Sequence, residues 1–180
     1  MQPRGQTHLV VLDRAPKYML LLRSIFFTLL VPGTVTVLIP YWLISSRGTG
    51  TFSNYQPLRY LGLPLIGIGA AGLLWCIWEF FSEGRGTLAP IDPPKHLVVR
   101  GPYRYVRNPM YVSVAMILLG EAIFFMSTAV LIEAVILISV AHIFVTFYEE
   151  PALRRQFGES YTRYSQTVGR WIPRYRSRST

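Results

Sequence analysis

The chain has 180 residues, a length that holds about one domain. Hydrophobic residues make up 51% and charged residues 15%, which is too apolar for an ordinary soluble domain of this size. The net charge of +9 follows the ends of apolar stretches. It therefore speaks for topology and attraction to anionic headgroups and against nucleic acid. Cys76 is the single cysteine, so no disulfide framework or cysteine metal cluster is expected.

A bilayer core of ~30 Å needs roughly 20 apolar helical residues. In chain order, residues 1–17 form a polar amino end. Tyr18–Ile44 is the first expected span, a retained signal anchor behind Arg4, Arg14 and Lys17. Arg23 lies near its basic end and can snorkel. Ser45–Pro57 is a loop rich in Gly, Ser and Thr. Leu58–Phe81 is the second span, with Cys76 read as a small buried apolar residue.

Its Gly67-Ile68-Gly69-Ala70-Ala71-Gly72 spells the dinucleotide fingerprint. A fingerprint needs a preceding strand and a soluble βαβ unit, so close helix packing through small residues is the reading here. Ser82–Asn108 follows, a long connection whose Pro90, Pro93, Pro94 and Pro102 forbid a continuous helix. Such a connection is functional or disordered, and His96–Val99, Tyr103 and Tyr105 argue for order.

Met110–Met126 and Ala129–Phe147 are the third and fourth spans, joined at Ser127-Thr128 as a tight hairpin. Pro109 opens the third with Asn108 as its expected cap. Glu121 and Glu133 fall at similar depth on the two arms. They either face each other, snorkel separately or make structural hydrogen bonds.

His142, Thr146, Glu149 and Glu150 share a polar stripe at the end of the fourth span. Two glutamates at a helix carboxyl end oppose the macrodipole, so arginines or a bound cation should compensate. With no second histidine at ligand spacing, no metal site is expected. Arg100, Arg104 and Arg107 stand ready to pair with carboxylate or phosphate.

After Pro151, Leu153, Phe157, Tyr161, Tyr164 and Val168 lie on one face of a helix weakened at Gly158. That amphipathic helix either rests on the membrane surface or packs back over the loop.

With both termini on the cytoplasmic side, 16 Lys and Arg fall inside and two, Arg47 and Arg59, fall outside, as the positive-inside rule requires. The expected architecture is thus all-α with four spans, a cytoplasmic loop and a carboxyl-terminal amphipathic helix. It forms one membrane domain over 1–180, divided into a two-span half (1–94) and a second half (95–180).

Gly101–Tyr111 reads GPYRYVRNPMY, Tyr148–Pro151 reads YEEP, and Phe157–Pro173 reads FGESYTRYSQTVGRWIP. From Lys95 onward these ordered elements resemble the small integral-membrane methyltransferases, which include isoprenylcysteine carboxyl methyltransferases and phospholipid N-methyltransferases. Asn108 departs from the carboxyl-methyltransferase branch, which has His there.

The resemblance implies S-adenosylmethionine as methyl donor and a lipid-embedded or membrane-partitioning acceptor whose reacting atom is a carboxylate, amine or thiol. It implies a donor pocket of His96, Leu97, Val98, Gly101, Tyr103, Arg107, Asn108, Pro109, Tyr111, Glu149 and Glu150. It also offers a weak correspondence of Gly67 and Gly69 to the phospholipid branch's paired glycines. No catalytic group is fixed by it; His142 and Arg107 are the candidates. Two other readings stay open: a nicotinamide-dependent membrane reductase of the sterol-reductase type, and a non-catalytic lipid-binding protein.

Overall fold

The computed structural model describes residues 30–47, 53–83, 97 and 99–174. The first half of the expected first span, Arg23, His96, Val98 and Pro90, Pro93 and Pro94 lie outside the described residues. The described residues are helical almost throughout, and none forms a strand.

A π-helical turn, Thr34–Leu38, runs into α1 (Ile39–Arg47). A 3₁₀ segment, Ser53–Leu61, leads into α2 (Gly62–Glu83). The hairpin follows as α3 (Pro109–Phe124) and α4 (Thr128–Phe144). A second π-helical turn, Val145–Glu149, carries α4 on into α5 (Glu150–Phe157), and α6 (Glu159–Thr167) closes the described chain.

Both π-helical turns end one residue before a proline-bearing first turn. Proline lacks an N–H, and its ring would crowd the carbonyl four residues back. Ahead of Pro40 the Ile39 N–H bonds to the Thr34 carbonyl, and ahead of Pro151 the Glu150 N–H bonds to the Val145 carbonyl. One extra residue per turn absorbs each ring without breaking the rod.

This corrects one expectation. Glu149 and Glu150 do not sit at a helix carboxyl end; the helix continues through them as far as Phe157.

The helices Pro57–Glu79 and Thr128–Phe157 are long and apolar enough to cross a membrane, whereas Leu30–Ser46 and Pro109–Phe124 are shorter. Their outward faces expose Trp42, Leu74, Trp78, Ile132, Ile136 and Val140. An apolar belt of this extent is a surface made for lipid.

Inside, Val114, Leu118 and Ala134 form a buried cluster with Val35, Leu73, Leu119 and Leu137, which ties all four helices together.

Helices α2 and α3 touch backbone to backbone. A Cβ on Gly69 would meet the Ser113 carbonyl at 2.7 Å, and one on Gly72 would meet Ser113 Oγ at 2.6 Å. Gly67 faces open space. The fingerprint-like run is therefore helix packing at Gly69 and Gly72, and Gly67 takes no part in it.

At the far end Arg59 lies over the Phe124 ring, 4.9 Å from its centroid. The hairpin turn is capped by Ser127, whose Oγ accepts from the Val130 N–H, while Met126 takes a left-handed φ of 53°.

Candidate active site

Opposite the hairpin turn, the loop, the end of α4 and the tail converge on one corner. The loop enters through Gly101, whose φ of +52° is readily adopted only by glycine. Pro102 then starts a 3₁₀ turn, Gly101–Arg104. Gly101 lies hard against Glu79 near the end of α2: a Cβ there would stand 2.5 Å from Glu79 Oε1 and 2.8 Å from Cγ. Glu79 Oε1 in turn accepts from Trp75 Nε1 at 3.0 Å.

The substitution Gly101→Ala should therefore combine ~1–2 kcal/mol of backbone strain with displacement of the Glu79 carboxylate. A parallel measurement of kcat/KM and melting temperature checks it, with a loss of about tenfold or more expected.

The tail folds back over this loop. Tyr161, Tyr164 and Val168 form a buried cluster with Leu97, Leu153 and Phe157. The apolar face expected of one helix thus packs on the loop, and the helix is broken in two at Gly158, where φ is +54°. Tyr164 donates its hydroxyl to the Tyr103 carbonyl at 2.7 Å. Arg107 reaches Tyr161 Oη at 3.4 Å. Burial pushes the Tyr103, Tyr161 and Tyr164 hydroxyls above the ordinary tyrosine range, so all three keep their protons.

Beyond α6, Val106 and Gly169 pair as an isolated parallel bridge, and the Arg107 N–H donates to the Gly169 carbonyl at 2.8 Å. Asn108 does not cap α3 with its side chain. Its Nδ2 instead donates to the Arg170 carbonyl at 3.3 Å, so the residue expected as a cap ties loop to tail. Pro109 occupies the buried first turn of α3, and its carbonyl accepts from Ser113 Oγ at 2.8 Å.

Arg170 and Trp171 clasp the polar stripe of α4. Arg170 holds Glu150 with both arms of its fork, Nε to Oε1 and Nη2 to Oε2 at 2.8 Å each. Its Nη1 donates to Thr146 Oγ1 at 3.0 Å. Arg107 Nη1 adds a second cation, 3.1 Å from Glu150 Oε1, and the Arg107 and Glu150 side chains are both nearly buried. The cationic partners of Glu150 are thus arginines of the chain itself.

Trp171 Nε1 donates to His142 Nδ1 at 3.1 Å, and its ring meets Tyr111 edge-on, centroids 6.2 Å apart. Glu149 points elsewhere: its Oε2 accepts the Tyr111 hydroxyl at 3.3 Å.

The structure therefore gathers Leu97, Gly101, Tyr103, Arg107, Asn108, Pro109, Tyr111, His142, Glu149 and Glu150 at one end of the bundle. Glu79, Arg170 and Trp171 join them and were not among the expected site residues. Their signal was present in a carboxylate closing an apolar span and in the arginine–tryptophan pair within GRWIP. Among the described residues no group of three or more His, Cys, Asp or Glu is placed to hold a metal ion.

The family model described as phospholipid methyltransferase matches residues 58–160, a span from the 3₁₀ segment ahead of α2 into α6. The chain belongs to the phospholipid methyltransferase family. No curated protein matches it, and no solved structure does. This phospholipid methyltransferase family member is thus a membrane methyltransferase. The matched stretch carries Glu79, the whole loop, Tyr111 and both glutamates, whereas Arg170 and Trp171 lie beyond it.

Proposed function

We propose that the chain transfers a methyl group from S-adenosylmethionine to a lipid-embedded or membrane-partitioning acceptor at the corner just described. The observation that carries this reading is a mixed-charge, largely buried group set on the family-matched segment, in which Arg107 Nε is buried without a partner among the described residues. An orphaned guanidinium N–H suits a carboxylate ligand. A half-buried glutamate beside tyrosine suits an ammonium or a ribose diol. The donor presents all three groups, so the residues fit it.

Bound there, S-adenosylmethionine supplies an electrophilic methyl on a sulfonium whose charge disappears on transfer. Glu150 is committed to Arg107 and Arg170. Glu149 is then the carboxylate for the ammonium or ribose, with Tyr111 holding its orientation. Leu97, Tyr103 and Trp171 supply apolar walls. A carboxylate against the sulfonium would stabilise the ground state, so Glu149 acts away from the reacting carbon. Catalysis is mainly alignment, which can contribute ~7 kcal/mol or more, with water excluded by the folded-back tail. In this reading His142 positions Trp171 through its Nδ1.

The four helices are four spans with both termini and the corner on the cytoplasmic side, and residues 95–180 form the donor-binding half of a single domain. The acceptor enters sideways from the bilayer.

Calorimetric titration of the full chain in lipid nanodiscs with S-adenosylmethionine tests the assignment. Saturable binding is expected for wild type, and Glu149→Gln should weaken it by about tenfold. A wild type that binds no donor would sink the reading. Label from methyl-tritiated donor should then pass into the organic phase of a membrane extract.

A further inference from the structure

The rod that runs from α4 into α5 has an outer face that the corner does not use. Phe144 and Tyr148 stack there, ring centroids 5.1 Å apart, and Phe147 and Tyr148 are 76% and 58% exposed. Arg154 and Arg155 follow, both exposed. Phe147 and Arg154 are seven residues apart, as are Tyr148 and Arg155, so each ring stands about two turns below a guanidinium. Glu149 and Glu150 turn the other way, into the corner.

These two arginines differ from their neighbours. Arg163 is held by Glu159 at 2.9 Å, and Arg107 and Arg170 are held by Glu150. No hydrogen bond or ion pair engages the side chains of Arg154 and Arg155 or the Tyr148 hydroxyl among the described residues.

We infer that this face binds one anionic phospholipid of the cytoplasmic leaflet, with its phosphate on Arg154 and Arg155 and an acyl chain along Phe144 and Phe147.

Depth selects a lipid. The rod Thr128–Phe157 has 30 residues, about 45 Å, against a hydrocarbon core of ~30 Å and ~40–45 Å with both headgroup layers. Tyr148 is twenty residues beyond Thr128, about 30 Å from the turn, at the inner edge of the core, where tyrosine is favoured. Arg154 and Arg155 stand about 10 Å further out, among the headgroups. Charge selects the head. Two uncompensated guanidiniums match phosphate oxygens by their fork geometry, and a zwitterionic head would bring its own cation against them. A free anion would offer the exposed rings nothing. The Tyr148 hydroxyl, between rings and arginines, can donate to an ester or phosphate oxygen. The inference rests on the membrane orientation proposed above and needs no methyl donor.

Native mass spectrometry of the full chain tests it, with release from mild detergent containing equal amounts of phosphatidylglycerol and phosphatidylcholine of the same acyl chains. Wild type should retain one phosphatidylglycerol with a preference of about tenfold. The paired variant Arg154→Gln, Arg155→Gln should bring the ratio to about one, and each single variant should lie between. The pair Arg104→Gln, Arg163→Gln removes the same charge elsewhere and should keep the preference. Binding of S-adenosylmethionine should be unchanged in all of them, so a failure here is distinct from a failure of the donor corner. A wild type without preference overturns the inference by itself. So does a preference that survives loss of Arg154 and Arg155, which places the lipid elsewhere. Equal loss in the control pair overturns it in favour of net charge alone.

Discussion

Glu150→Ala is expected to abolish methyl transfer and to destabilise the protein by about 3–5 kcal/mol, the usual cost of breaking a buried ion pair from one side. For a chain of this length that is a fall in melting temperature of roughly 10 °C. The reason is the environment of Glu150. Its side chain is 7% exposed and that of Arg107 is 9% exposed, so the substitution strands one guanidinium in a nearly dry corner. It also frees Arg170 from a two-armed grip and so unfastens Gly169–Trp171 from the site. Arg170→Lys should share much of the functional loss. An ammonium is a point charge and cannot hold both carboxylate oxygens and Thr146 Oγ1 in one plane. Thermal denaturation, label transfer and limited proteolysis of the tail, measured together, check the pair. A Glu150→Ala variant that melts and turns over like wild type would show that the clasp carries nothing.

The second large effect is a contrast between two glycines. In Gly120→Ala the new Cβ would meet the Gly62 carbonyl oxygen at 2.7 Å and the Ile66 backbone nitrogen at 2.8 Å. Backbone atoms cannot rotate aside, so α2 and α3 must move apart and lose packing along their length, at about 1–3 kcal/mol or more. In Gly67→Ala the Cβ meets nothing within 4 Å. The intrinsic helix preference of alanine, worth up to ~1 kcal/mol, then leaves stability unchanged or slightly raised. Unfolding of both variants in a graded denaturing detergent decides the matter, and equal damage from the two would refute the backbone-contact account.

Hydropathy made the helices legible because long apolar runs carry a length and composition that no local detail can disguise. The limits of Pro109–Phe124 and Thr128–Phe144 fall close to the expected spans for that reason. The continuation through Glu149 and Glu150 was not legible. Pro151 and two adjacent charges read as a stop, and only the π-helical turn ahead of the proline explains why the rod runs on. The tail's apolar face was visible at four-residue spacing, but which surface it covers depends on Leu97 and Tyr103, sixty residues away in sequence. Asn108 shows the same limit. Its position before Pro109 predicted a cap, and a distant carbonyl of Arg170 proved the stronger claim on its amide. GPYRYVRNPMY and YEEP marked most of the corner, whereas Glu79 and Arg170 were hidden because a lone charge at a span end has an ordinary topological explanation.

The clasp made by Gly169, Arg170 and Trp171 also sets an order of events during synthesis. Helices α2, α3 and α4 can pack as soon as they emerge, because their contacts lie among residues already made. The corner around Glu149 and Glu150 is incomplete until the ribosome has added residue 171, some sixty positions after Asn108 and Tyr111. Assembly of the bundle therefore precedes closure of the corner. A chain ending before Gly169 would hold its helices together yet leave Glu150 without the Arg170 fork.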